Sequence, residues 1–163
     1  MTDDNLALVT KRLDAMRGLT ANWDGYHANV IDPAVIESVA GFCRELPADT
    51  GAPYVVPIGN GTVQLEWHDG PKLLEMEFES PTVIVYLKWH PEAGVCEEGL
   101  IPATDIAGAA ELLVWFRPPQ TIPPHQGDND DHAAMVRDYR RLLDDEAEWK
   151  RIRAEQLGLF TFL

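Results

Sequence analysis

Apolar residues recur at steps of three and four near the start of the chain: Leu6, Val9, Leu13 and Met16 within residues 3–17. That spacing places them on one stripe of a helix, with Asp3 and Asp4 in the first turn, where the helix dipole favours acids. Gly18 stops it, and Asn22-Trp23-Asp24-Gly25-Tyr26 reads as an ordered turn. Asp32-Pro33 opens a second helix, with Asp as the cap and Pro at the first helical position. Its inward stripe is Ile36, Val39, Cys43 and Leu46, and Pro47 lies just past its end.

Between residues 54 and 90 the period falls from 3.6 to 2, which predicts four strands: Tyr54–Ile58, Thr62–His68, Lys72–Glu79 and Thr82–His90. Asn60-Gly61 and Asp69-Gly70 are two-residue hairpin signals. A turn at Asn60-Gly61 sets Ile58 against Val63 and Val56 against Leu65. A turn at Asp69-Gly70 sets Leu65 against Leu74 and Val63 against Met76. Pairing Phe78 with Val83 then sets Met76 against Val85 and Leu74 against Leu87. All these partners share one apolar face. Pro57 marks the first strand as an edge. Pro81 cannot take the positive φ of a type I′ turn, so the last hairpin is the least determined.

A third helix begins at Thr104 or Asp105, with Ile106, Ala110, Leu113 and Phe116 inward. The expected fold class is therefore α+β: a four-stranded antiparallel meander with helices packed on one face, occupying residues 1–116. Residues 117–131, RPPQTIPPHQGDNDD, form a polar, proline-rich linker. A charged amphipathic helix is expected over 132–155, with Met135, Val136, Tyr139, Leu142, Leu143, Trp149 and Ile152 as its stripe. An apolar, extended tail, 156–163, ends the sequence.

Charge narrows the function. Among 163 residues, 13 Lys and Arg face 27 Asp and Glu, a net −14. Phosphate binding needs clustered cations, so direct nucleic-acid binding is not expected, and a protein partner is. No apolar run approaches the roughly 20 residues of a membrane helix, and the first residues are acidic where a secretory signal would be basic. Cys43 and Cys96 lack a metal-binding or redox spacing. A cytoplasmic setting is the simplest expectation.

Several constellations could carry chemistry. Gln64, Glu66, His68, Glu75, Glu77, Glu79, Tyr86, Lys88 and His90 alternate with the apolar set, and the registers above give the rows Gln64–Glu75–Tyr86 and Glu66–Leu73–Lys88. Carboxylates with His could hold a metal or move protons. The solvated side of a half-exposed sheet has the same pattern and accounts for it more simply. Neither Ser38 nor Ser80 sits in a nucleophile elbow, no phosphate-cradling glycine loop is present, and Cys43 falls on a buried stripe. Asp128-Asn129-Asp130-Asp131 lacks the sixth-position glycine of a calcium loop and has Tyr139 where its last ligand belongs. No catalytic residue, metal site or cofactor is expected. Trp23 and Tyr26 suit a lid over the core between two helices. The NWDGY segment, followed by a Pro-opened helix and the LEW, LEMEF and YL strands, is similar to a set of small bacterial and phage α+β proteins over residues 5–116.

The tail is the sharpest signal. Gln156-Leu157-Gly158-Leu159-Phe160 resembles the bacterial sliding-clamp-binding motif, Q-L-x-L-F, at all four specified positions. The resemblance implies that the tail lies extended in a groove of the DNA polymerase III β sliding clamp. Leu159 and Phe160 would fill the deep pocket, Leu157 would pack on the wall, and Gln156 would fix the register by hydrogen bonds. With the size and layout, the tail resembles the SocB-type toxins of toxin–antitoxin pairs, which block replication by occupying that groove. That resemblance implies two further partners, a cognate antitoxin acting as a proteolytic adaptor and the ClpXP protease. A clamp-tethered repair or polymerase accessory factor, an enzyme using the Glu and His face, and an acidic inhibitor of the anti-defence type are the rival readings.

Overall fold

The computed structural model describes residues 1–117, which lie within one compact unit, Met1–Thr121. The predicted linker beyond Arg117, the 132–155 helix and the clamp-binding tail lie outside the described residues. The order is α1 (Asp3–Met16), α2 (Pro33–Glu45), β1 (Tyr54–Pro57), β2 (Val63–Asp69), β3 (Lys72–Ser80), β4 (Val83–His90), a 3₁₀ turn (Pro91–Ala93), β5 (Val95–Pro102) and α3 (Ile106–Phe116). The α+β class holds, and the sheet has five strands rather than four, in the order β1-β2-β3-β4-β5, antiparallel throughout. The added strand, β5, holds Cys96.

Local chemistry sets the helix ends. Thr2 accepts from the amide of Asn5, Asp32 from Ala34 and Asp105 from Gly108, each satisfying an orphan N–H of a first turn. The buried stripes are Val9, Leu13 and Met16 on α1, Val35, Ile36, Val39, Ala40, Phe42 and Cys43 on α2, and Ala109, Leu112, Leu113 and Phe116 on α3. Ala109, rather than Ala110, is the buried alanine of α3. These pack against Val63, Leu65, Trp67, Leu74, Met76, Phe78 and Ile84 of the sheet in one core. Phe42 and Phe78 meet edge to face, their centroids 5.3 Å apart.

All three hairpin registers differ from the expected ones, each for an identifiable reason. Between β1 and β2, Val55 pairs with Leu65 and Val56 with Gln64, so Val55 rather than Val56 is buried. The connection is five residues, Ile58–Thr62, because it is fastened elsewhere: Asn29 N donates to Gly59 O at 2.8 Å and Asp32 N to Gly61 O at 3.0 Å. Gly61 has φ +98°, and a Cβ there would stand 2.9 Å from the Val30 carbonyl oxygen. Between β2 and β3 the turn is Gly70-Pro71, with Asp69 opposite Lys72 and Val63 opposite Phe78. An Asp69-Gly70 turn would have put Pro71, which has no N–H, into the ladder. That slip is two residues, so the faces survive. Between β3 and β4 the turn is Pro81-Thr82, and a register shift between Phe78 and Ser80 reconciles it with the twist. Phe78 pairs with Ile84 and Met76 with Tyr86. This slip is odd, and it exchanges the two faces of β4.

Candidate functional site

The exchange divides the set of polar residues that the sequence suggested as a site. Gln64, Glu66, His68, Glu75 and Glu77 do share the face turned away from the helices, where Glu66 lies opposite Glu75 and Gln64 opposite Glu77. Tyr86, Lys88 and His90 belong to the other face, so the rows Gln64–Glu75–Tyr86 and Glu66–Leu73–Lys88 are not formed. The observed rows are Gln64–Glu77–Val85–Leu100, Glu66–Glu75–Leu87–Glu98 and His68–Leu73–Trp89–Cys96. The outer face is thus polar over β2 and mixed over β3. It is apolar along β4, where Leu87 is only 4% exposed.

The polar half is organised by short hydrogen bonds. Glu66 accepts from Gln64 Nε2 at 2.9 Å on one oxygen and meets His68 Nε2 at 2.9 Å on the other. Tyr54 stands edge-on to His68 with centroids 5.7 Å apart, and the Arg12 guanidinium lies 5.6 Å over the Tyr54 ring. Glu77 accepts from Thr62 Oγ1 at 2.7 Å, which ties β3 to the preceding turn. These contacts hold Glu66 along its own strand, β2, and Glu77 toward the turn before it. Among the described residues no group of three His, Cys, Asp or Glu side chains is placed to hold a metal ion.

The residues moved to the helix side make a second cluster. Lys88 Nζ holds Glu97 at 2.7 Å and lies 5.3 Å from the Trp115 ring centre. Lys72 Nζ lies 4.7 Å from the same ring and donates to the Trp115 carbonyl at 2.6 Å, capping the end of α3. Tyr86 Oη donates to Glu97 at 3.2 Å. The hydrogen bond from Lys88 holds the Glu97 carboxyl below the usual range, helped by Tyr86. Burial, then Glu97, raises the Tyr86 phenol. The cluster fastens α3 to β3, β4 and β5. Sequence periodicity missed it because it depends on the face exchange in β4.

The Asn22–Tyr26 segment is ordered as expected. Asn22 N donates to Ala28 O at 2.7 Å, Asn22 Oδ1 accepts from His27 N at 2.8 Å, and Asp24 Oδ1 accepts from Tyr26 N at 2.7 Å. Asn22 and His27 both take positive φ. Trp23 packs on the core and donates from Nε1 to Asn29 O at 3.0 Å. Tyr26 does not share the lid role the sequence suggested for it, because it is 86% exposed.

Cys43 is fully buried on α2, where desolvation pushes its thiol up to about 12, so it packs as a small apolar side chain. Gln156, Leu157, Leu159 and Phe160 lie outside the described residues. No family model, curated protein or solved structure matches this chain. Among the described residues no helix is long and apolar enough to cross a membrane.

Proposed function

We propose that this chain binds the bacterial DNA polymerase III β sliding clamp through Gln156, Leu157, Leu159 and Phe160, and blocks replication from the cytoplasm by competing with polymerase and repair proteins. The observation that carries the reading is the segment Gln156-Leu157-Gly158-Leu159-Phe160, which fits the clamp-binding pattern at its four specified positions. Charge supports a protein partner: residues 1–117 carry seven Lys and Arg against 18 Asp and Glu, 7 − 18 = −11. Burying Leu159 and Phe160 in an apolar pocket is worth roughly 1.5–3 kcal/mol each before ordering costs. Micromolar affinity, about −8 kcal/mol, is the expectation. The same resemblance brings a cognate antitoxin adaptor and ClpXP into the proposal as partners that remove the toxin.

Isothermal titration of the full chain into purified clamp tests the binding. Saturable binding is expected, weakened at least tenfold (about 1.4 kcal/mol) by Leu159→Ala and by Phe160→Ala. Equal affinity in all three proteins would remove the proposal. Overexpression then separates a toxin from a clamp-tethered accessory factor. Growth arrest that disappears with Phe160→Ala supports the first, and unimpaired growth with normal clamp binding supports the second.

A further inference from the structure

The two edges of the sheet are finished differently. β1 has only four residues, one of them Pro57, and lies beside α1. Arg12 donates to Pro53 O at 3.2 Å, so the backbone leading into that edge is already engaged. Shortness, proline and coverage are the devices by which sheets avoid recruiting extra strands. β5 lacks them. It runs for eight residues and pairs with β4 without interruption, from His90–Val95 to Val83–Pro102. Within the strand the only proline is its last residue, Pro102. Among the described residues no strand lies beyond it, and none of its residues is buried. Leu100 is 67% exposed. At its middle is Gly99, where a Cβ would meet the Tyr86 ring at 2.6 Å, so the strand carries no side chain there to shield its backbone.

We propose that the β5 edge accepts an extended, cationic segment of a partner protein by strand addition. Main-chain hydrogen bonds from such a segment would complete the ladder, and alternate side chains would give selectivity. Charge fixes the kind of partner. Glu92, Glu97 and Glu98 lie on or next to this edge, Glu97 with one of its oxygens on Lys88, and the body that carries them has a net charge of −11 by the count above. A second copy is the wrong occupant: antiparallel pairing of β5 with itself about its centre sets Glu98 one residue, and Glu97 two residues, from the Glu98 of the other copy, and like charges across strands repel. A segment of Lys or Arg alternating with β-branched residues meets both requirements.

The test uses the full chain and a blocked octapeptide of alternating Lys and Val, with an alternating Glu and Val octapeptide as control. Amide hydrogen exchange is followed by NMR. The Lys–Val peptide should slow exchange at least tenfold within residues 95–102, and its affinity should fall as salt is raised. The double substitution Glu97→Lys, Glu98→Lys should weaken binding at least tenfold, with folding checked by circular dichroism. Should that variant fail to fold, the salt dependence and the control peptide still decide. Unchanged exchange at saturating peptide, protection confined to β1, equal binding of both peptides, or a β5 already protected in a dimer of this chain would each overturn the proposal.

Discussion

The two faces of the sheet follow different rules. The helix-covered face is built from Val63, Leu65, Trp67, Leu74, Met76, Phe78 and Ile84, all buried beneath three helices. The outer face grades from the Gln64, Glu66 and His68 side, held by hydrogen bonds, to Val83, Val85, Leu87 and Trp89 along β4. The first face is fixed by packing volume, where any loss leaves a cavity. The second is divided between carboxylates fixed by their donors and an apolar strip that a one-residue slip brought outward.

Replacing Phe78 by Ala sets the upper end of this contrast. It deletes a fully buried ring in contact with Phe42, and an equilibrium denaturation shift of about 3–5 kcal/mol is expected. Leu87→Ala tests whether burial on the outer face carries comparable weight. A loss of about 2–3 kcal/mol is expected there, and a change within about 0.5 kcal/mol would mark the outer face as ordinary surface. Gly61→Ala forces a Cβ toward the Val30 carbonyl at positive φ and should cost about 1–3 kcal/mol by the same measurement.

Titration gives a further distinction. Cys43 lies under the covered face with its thiol raised to about 12. An unfolded thiol ionises near its ordinary pKa of about 8.5. Stability from this group is therefore complete below that range and is lost as pH rises toward 12. A Cys43→Ala variant should show a flatter alkaline stability profile by thermal melting. At the acid end, Glu97 has the opposite sign: its depressed carboxyl contributes above the ordinary carboxylate range and is lost as pH falls through it. Because the Glu97 side chain is half exposed while Lys88 is largely covered, Glu97→Gln should lower stability only slightly, as read by the same thermal melts.

Helix positions were legible in the sequence because caps and periodicity agree: Asp32-Pro33 begins α2 where expected, and Leu13, Val39 and Phe116 are buried as expected. The faces of β2 and β3 were legible too, since an even register error leaves them unchanged. Strand β4 was misread at Pro81, whose turn admits a one-residue shift that local alternation cannot reveal. β5 was missed because Cys96-Glu97-Glu98-Gly99 has neither alternation nor β-propensity, and only its neighbour β4 makes it a strand. Of the candidate polar face, the β2 members and Glu75 and Glu77 of β3 were correctly grouped; Glu79 falls in the irregularity between Phe78 and Ser80, and Tyr86 and Lys88 changed sides with β4 and joined Glu97 and Trp115.

The stitching of residues 29–32 to the 59–61 turn has a consequence for how this domain can be taken apart. A hairpin whose alignment is dictated by a loop far upstream is not a self-sufficient module. Synthesised without the two leading helices, residues 54–102 would revert to the tight Asn60-Gly61 bend, and the first strand would present Val56 inward in place of Val55. The helices thus act as a template as well as a cover, and the sheet's alignment is a property of the whole assembly.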